Sequence, residues 1–301
     1  MSQLTIGQCA TLSCLLEVAA PKPGNVHRGA DFPDMTLQDL LASAVAIGPA
    51  LELAPDHGVG ATALAAIQAT RQVTHANTNL GIVLLLAPLA CVSREISLSD
   101  GIHSVLSALT ANDCADVYQA IQLASPGGLN PQEVQLHADE VTTIRTNNAA
   151  ENQQVADRGR SLPNDLLSAM RQAADWDLIA QQYVTDFALV FESIVPWLMA
   201  TPQLSLSDRI VRTHVRLMSE FPDSLIARKC GQSVARESAA NAAAVLRAGE
   251  AHESNYHDAL ADLDFWLRSD GNRRNPGTTA DLIAAGLFVL LREDLISAPF
   301  N

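Results

Sequence analysis

A loop at residues 20–35 combines proline, glycine and basic side chains in a way that suits the binding of phosphate. Glycine lets the backbone approach a ligand closely, and backbone N–H groups act together with cations on an anion. The candidate phosphate ligands of this loop are Lys22, Gly24, Asn25 and Arg28. His27 is a candidate general base, because the unperturbed pKa of histidine is about 6.5. A helix end that is stopped by proline and carries favourable basic residues explains the same pattern without a ligand.

Three later segments have a similar character. Lys229, the only other lysine of the chain, follows Arg228 in the stretch DSLIARKCG. Residues 275–279 (NPGTT) precede an apolar helical pattern, and a threonine cap there would leave first-turn N–H groups free for an anion. The polar residues 77–79 also precede an apolar helix. Their side chains either cap this helix or form hydrogen bonds with a ligand at its N-terminus. These segments add further candidates for nucleotide or phosphate binding: Asn77, Thr78, Asn79, Arg228, Lys229, Asn275, Gly277, Thr278 and Thr279.

The elements that must position these loops are helical. Hydrophobic residues make up 48% of the chain and charged residues 17%, a composition typical of a packed globular protein. Apolar residues recur with helical spacing, as in 165–199, and no convincing strand pattern occurs. Thr36 and Asp39 predict a capping box at the start of a helix. The sequence predicts an all-α multi-helix bundle, a single domain over residues 1–301, with a flexible flap at 125–165.

Charge and composition limit the classes of ligand. The formal net charge of −14 argues against binding to nucleic acid or to an anionic membrane. The longest apolar run, Leu80 to Val92, is shorter than the roughly 20 residues of a membrane span and predicts a buried helix. The five cysteines form no C-x-x-C pair, and no basic residue precedes the apolar N-terminal pattern. We expect a cytoplasmic protein that binds small molecules.

Five motifs together resemble one known family. In chain order they are EVAAPKPGNVHRGADFPDM, THANTNLGIVLLLAP, GRSLPNDLLSAM, FPDSLIARKCG and NPGTTADLIAAGLF, and they resemble the triphosphoribosyl-dephospho-CoA synthase family. The resemblance implies an all-helical transferase. Such an enzyme transfers the 5-triphosphoribosyl group of ATP to the 2′-hydroxyl of dephospho-CoA and releases adenine. The product is a precursor of the prosthetic group of acyl carrier subunits.

The implied reaction assigns roles to acidic side chains. Displacement of adenine from the ribose C1′ passes through a cationic state that a carboxylate stabilises, while a base accepts the proton of the acceptor hydroxyl. Mg²⁺ together with lysine or arginine is expected to hold the triphosphate. The catalytic candidates, which lie in or beside the matching motifs, are Glu17, His27, Asp34 and Asp223. The metal candidates are Asp34 and Asp281, the latter expected in the first turn of the last apolar helix.

The chain differs from the family's usual motifs at several polar positions. Asn79 and Leu80 stand where the family has a histidine and a lysine, and His27 stands where it usually has an aspartate. Side chains at such positions suit phosphate or acceptor binding, so the acceptor does not follow from the resemblance. A phosphoribosyl-type transferase that acts on a different acceptor, in another cofactor pathway, is the first alternative.

Two alternatives come from other classes. A helical metal-dependent phosphohydrolase is suggested by His257 and Asp258, with Asp262 one turn later, but it needs further histidines such as His214. A non-catalytic helical scaffold is suggested by the alanine-rich stretch 235–249, which also suits a homo-oligomer. A tightly held transition metal favours the hydrolase, whereas loosely bound Mg²⁺ favours the transferase.

Overall fold

The computed structural model describes residues 3–127 and 165–300, and these residues are all-α. They form fifteen α-helices and one π-helical segment, without a strand. This confirms the predicted fold class. The first seven helices are α1 (Ile6–Ala19), α2 (Leu37–Glu52), α3 (Ala54–His57), α4 (Val59–Val73), α5 (Leu80–Cys91), α6 (Leu98–Ser107) and α7 (Ala111–Ala124). The next are α8 (Leu166–Ala173), α9 (Leu178–Val184), the π-helical segment Leu189–Ile194, α10 (Val195–Met199), α11 (Leu206–Glu220), α12 (Ser224–Cys230), α13 (Gln232–Ala248), α14 (Ser254–Arg268) and α15 (Gly277–Arg292).

Two helices, α5 and α15, form the centre of the fold. Their residues are buried on nearly every side, as expected for helices that are apolar all round. Helix α15 packs against α1 and α5, while α2, α4 and α7 complete this side of the bundle. The N-terminal parts of the two central helices lie side by side. Gly81 of α5 is so close to Asp281 of α15 that a Cβ on Gly81 would overlap the Asp281 carboxylate. Two helix N-termini therefore meet at one point.

A second apolar cluster supports the loop at 20–35. It is built from residues of α11, α13 and α14, including Val215 and Leu267. The N–H of Gly24 donates to the Asp264 carboxylate of α14 at 2.7 Å, and Gly24 has a φ of 74° directly above Leu267. Only glycine fits this backbone conformation and this space. The loop is thus seated on α14.

The helical pattern at 165–199 is interrupted in the structure. Asp177 caps the N-terminus of α9, which separates α9 from α8. Asp186 and Phe187 have positive φ angles of 50° and 61°, which end α9 before the π-helical segment. Local polar capping and left-handed residues therefore override a continuous apolar periodicity.

Other predictions about organisation have mixed outcomes. The capping box of Thr36 and Asp39 is present at the start of α2. Among the described residues no single helix is long and apolar enough to cross a membrane, although the bent pair Leu178–Val184 and Leu189–Met199 passes by length and composition. Most of the predicted flap at 125–165 lies outside the described residues. The single domain stays a prediction.

Candidate active site

A cavity of about 1160 Å³ lies where the N-termini of α5 and α15 meet. The end of α1, the loop after it, α7, α8, α9 and α12 complete its walls. The sequence-predicted residues that line it are Glu17, Asn25, Asp34, Asn77, Thr78, Asn79, Arg228, Lys229, Asn275, Gly277, Thr278 and Asp281. Those that do not line it are Lys22, Gly24, His27, Arg28, Asp223 and Thr279. The structure thus brings together candidates from four of the five motifs.

Glu17 and Lys22 form a buried ion pair beside the cavity. The Nζ atom of Lys22 lies 2.8 Å from Oε1 of Glu17, and Lys22 is fully buried. Nζ also donates to the backbone carbonyls of Glu17 and Ala20 at the end of α1, a common role for lysine at a helix C-terminus. Lys22 therefore holds the Glu17 carboxylate at the cavity wall, a role that differs from the predicted phosphate contact.

Asp281, on α15, lines the same cavity. It is not in the first turn of the helix, contrary to the sequence-based expectation. Burial raises the pKa of Asp281 well above its ordinary value of 3.8, and the negative charges of Glu17, Asp223 and Asp177 add to the effect. Within the described ranges no ion pair or hydrogen bond compensates this carboxylate. We call Glu17 and Asp281 the floor of the cavity; its character is acidic.

Asp223 connects two helix N-termini rather than facing the cavity. One oxygen accepts hydrogen bonds from the N–H groups of Leu225 and Ile226 at 2.8 and 3.0 Å, capping α12. The other accepts from the N–H and the hydroxyl of Thr279, both at 2.8 Å, in the first turn of α15. The polar groups of both residues are therefore used for folding, which explains why neither lines the cavity.

Two cations of α12, Arg228 and Lys229, also line the cavity. The guanidinium of Arg228 lies 3.2 Å from Asp177, the residue that also caps α9. Lys229 follows on the same wall, and burial lowers the pKa of its ammonium. Its Nζ lies 3.5 Å from the carbonyl of Asn272, whose side-chain amide in turn donates to the exposed Asp34. We call Arg228, Lys229, Asp34 and Trp176 the rim of the cavity.

The remaining amide and hydroxyl candidates divide between folding and the cavity. Asn77 accepts from the N–H of Leu80, the first residue of α5, at 3.3 Å, while the side chain of Asn79, the N-cap residue, pairs with Thr70. Thr78 has a buried hydroxyl for which the described part of the chain offers no partner. Within this segment Asn77 therefore hydrogen-bonds the start of the helix, whereas the hydroxyl of Thr78 can face a ligand.

The two asparagines of the loops near α14 contact each other. The side-chain amide of Asn25 donates to Oδ1 of Asn275 at 2.6 Å. The side chain of Arg268, from α14, donates to the backbone carbonyl of Asn25 and is itself paired with Asp264 at 2.8 Å. These bonds join the loop at 20–35 to the segment before α15, so two of the sequence motifs form one wall.

His27 and Arg28 lie outside the cavity. Nδ1 of His27 accepts from the N–H of Gly29 at 3.1 Å, within a tight turn closed by a bridge between His27 and Ala30. Burial and the nearby charge of Arg268 lower the pKa of His27. Arg28 is exposed on the same turn. The loop that contains this turn packs on α14, and the side chains of His27 and Arg28 do not line the cavity.

Three residues of the site were missed by sequence reasoning, namely Asp177, Asn272 and Trp176. Asp177 stands before an apolar run, which is an N-cap signal that could have been recognised. Its pairing with Arg228 joins residues 51 positions apart, and no local pattern encodes such a contact. The same holds for Asn272 and its contacts with Asp34 and Lys229.

The acidic residues fit Mg²⁺ bound together with phosphate better than a metal cage. In the portion of the chain that the structure describes, no group of three or more His, Cys, Asp or Glu side chains could hold a metal ion. Mg²⁺ usually takes one or two carboxylates plus substrate phosphates and waters, and Asp281 is a carboxylate with no ion pair or hydrogen bond among the described residues. The hydrolase candidates do not form a metal site, because His257 and Asp258 are exposed on α14 whereas His214 is fully buried.

Comparison with known proteins decides the family. A model of the ATP:dephospho-CoA triphosphoribosyl transferase family matches residues 3–300. The chain belongs to this family. The match confirms the predicted transferase activity, ATP:dephospho-CoA triphosphoribosyl transfer, and favours it over the hydrolase and the scaffold. ATP is the family's substrate.

A solved structure supports the same fold. A protein of Archaeoglobus fulgidus, provisionally named a triphosphoribosyl-dephospho-CoA synthase, has a crystal structure similar to this chain with a TM-score of 0.62. The two chains are 22% identical, and the alignment covers 84% of this chain and 98% of the other. No curated protein matches the chain in sequence. At this level of identity the likeness supports the all-α fold.

Proposed function

We propose that the cavity carries out triphosphoribosyl transfer with the reacting C1′ at the acidic floor and the triphosphate at the basic rim. One observation carries this proposal: the same cavity is lined by two carboxylates held by α1 and α15, Glu17 and Asp281, and by two neighbouring cations of α12, Arg228 and Lys229. The chain has 19 lysine and arginine residues against 33 acidic residues, and two consecutive cations, Arg228 and Lys229, line this cavity. A cationic transition state and a polyanion need opposite fields.

Glu17 is the candidate that stabilises the transition state. In the transfer, the bond between C1′ and the adenine nitrogen breaks, the electron pair leaves with adenine, and the oxygen of the acceptor hydroxyl bonds to C1′. Positive charge develops on C1′ in between, and a fixed carboxylate stabilises it without reorganisation. The Lys22 ion pair holds Glu17 in place. The proton of the acceptor hydroxyl can pass to the same carboxylate.

Arg228 and Lys229 are the candidates that bind phosphate. Arg228 presents a guanidinium whose orientation is fixed by Asp177, and Lys229 adds a point charge. The N-termini of α5 and α15 contribute partial positive charge to the same cavity. The candidate ligands of Mg²⁺ are Asp281 and Asp34, and the ion would neutralise phosphate charge when bound. Mg²⁺, a cytoplasmic location and a homo-oligomer stay proposals from the sequence.

The test is a chromatographic assay of free adenine after incubation with ATP, Mg²⁺ and dephospho-CoA. We expect adenine release that requires the acceptor. CoA is the matched control, because its 3′-phosphate crowds the 2′-hydroxyl that dephospho-CoA leaves open. Nucleotide binding without adenine release would indicate the alternative acceptor, to which the replaced motif residues Asn79 and Leu80 point. Absence of nucleotide binding would contradict the proposal.

A further inference from the structure

The three tryptophans of the chain have different surroundings. Trp197 and Trp266 are each covered by an arginine, with the guanidinium carbon of Arg216 4.2 Å and that of Arg274 4.4 Å from the ring centroid. Trp176 has no such cover from the described residues, and 52% of its surface is exposed. It lines the cavity at the rim. An indole with an open face at the mouth of a binding cavity is a stacking platform.

The turn that carries Trp176 is held on both sides. The N–H of Trp176 donates to the carbonyl of Ala173 at 3.1 Å. The next residue, Asp177, caps α9 and pairs with Arg228. One position further, the N–H of Leu178 donates to the hydroxyl of Ser224 at 2.9 Å. The backbone that carries the indole is therefore held in place before a ligand arrives, which lowers the entropy cost of binding.

The neighbours of Trp176 suggest which ligand group it meets. The residue after Trp176, Asp177, pairs with Arg228 at 3.2 Å, and Trp176 and Arg228 both line the cavity, so an aromatic surface and a cation face the same space. Apolar side chains, among them Met170 and Ile179, line the same wall. A purine linked through a sugar to a phosphate has this combination of surfaces.

We propose that Trp176 stacks on the adenine ring of a substrate nucleotide. This inference rests on the proposed function, in which both ATP and dephospho-CoA carry adenine next to a phosphorylated ribose. Either molecule presents the same chemical group to the rim, and separate titrations distinguish them. Trp176 thereby selects a purine nucleotide over a bare polyphosphate at the rim of the cavity.

Binding is tested first, by tryptophan fluorescence of the whole chain. We expect one of ATP or dephospho-CoA, added alone, to quench the emission, whereas inorganic triphosphate, which lacks the base, leaves it unchanged. Trp176→Phe should lose this response while Trp266→Phe keeps it. A response that survives in Trp176→Phe would overturn the inference, as would a response to inorganic triphosphate of equal size.

Kinetics separate stacking from a structural role. In Trp176→Leu we expect the KM of the stacked substrate to rise roughly tenfold, with kcat and the melting temperature nearly unchanged. Trp176→Phe, which keeps an aromatic ring, should restore most of the affinity. The control Trp266→Leu should lower the melting temperature without a change in KM. Wild-type KM values for both substrates in Trp176→Leu would refute stacking while leaving the transferase activity intact. The proposed function is contradicted by a different result, the absence of nucleotide binding to the wild type.

Discussion

The floor and the rim of the cavity each hold one paired and one unpaired ionisable side chain, acidic at the floor and basic at the rim. At the floor, Glu17 is paired with Lys22, whereas Asp281 forms no ion pair or hydrogen bond among the described residues. At the rim, Arg228 is paired with Asp177, whereas Lys229 forms no ion pair within the described ranges. A paired charge is fixed in position, and an uncompensated one is available to a ligand. The floor thus favours a cation and the rim an anion.

The two lysines sharpen this comparison. Lys22 and Lys229 both lie in segments that mix glycine and charged residues, and both were predicted to bind phosphate. In the structure Lys22 is fully buried against Glu17, while Lys229 lines the cavity. The position of the nearest carboxylate, rather than the local sequence, separates a structural lysine from one that can bind a ligand. The predictions below test this difference.

The largest expected effect comes from Lys22→Met. Removing one partner of a buried ion pair leaves Glu17 as an uncompensated buried charge, which typically costs about 3–5 kcal/mol of stability. We expect a large fall in the free energy of unfolding, measured by chemical denaturation. The double variant Glu17→Gln/Lys22→Met should recover much of the loss. Unchanged stability in Lys22→Met would show that the pair does not hold the floor together.

Lys229→Met should affect binding instead. A hydrogen bond to a charged group contributes about 1.5–3 kcal/mol, so the KM for ATP should rise by roughly ten- to a hundredfold, with little change in melting temperature. Arg28→Met is the matched control, because Arg28 is exposed and does not line the cavity. Equal effects of the two substitutions on KM would indicate general charge attraction rather than a site at the rim.

The raised pKa of Asp281 leads us to expect that the stability of the protein depends on pH. Burial raises the pKa of Asp281 in the folded state, so the folded protein holds this proton more tightly than the unfolded chain does. The free energy of unfolding should therefore fall as the pH rises from the ordinary carboxyl range through the raised pKa. Asp281→Asn should lack this component. Denaturation of both proteins between about pH 4 and about pH 8, with chelator present, tests it; parallel curves would contradict the account.

His27→Ala is expected to have the smallest effect. A general base typically accounts for a factor of about 10²–10⁴ in rate. Because His27 lies in a turn outside the cavity, we expect adenine release to stay within about twofold of the wild type, the size of a minor perturbation. A loss of a hundredfold or more would restore His27 as the catalytic base and would require the loop to move.

The sequence predicts the frame of this site better than its contacts. Helical periodicity, the capping box at Thr36 and the buried helix from Leu80 depend on neighbouring residues, and the structure confirms them. The direction of a side chain does not depend on neighbours alone. Lys22 turns back to α1, and Asp223 joins α12 to α15 across 56 positions, so both appear in the sequence as free polar groups.

The central claim, that an acidic floor stabilises charge on C1′ while a basic rim binds phosphate, is tested most directly by the kinetics of Glu17→Gln. The amide oxygen of glutamine can still accept the hydrogen bond of Lys22, and the melting temperature of the same sample reports on folding. The account predicts that kcat for acceptor-dependent adenine release falls by roughly a hundredfold or more while the KM for ATP stays near the wild-type value. A folded Glu17→Gln variant with wild-type kcat would contradict it.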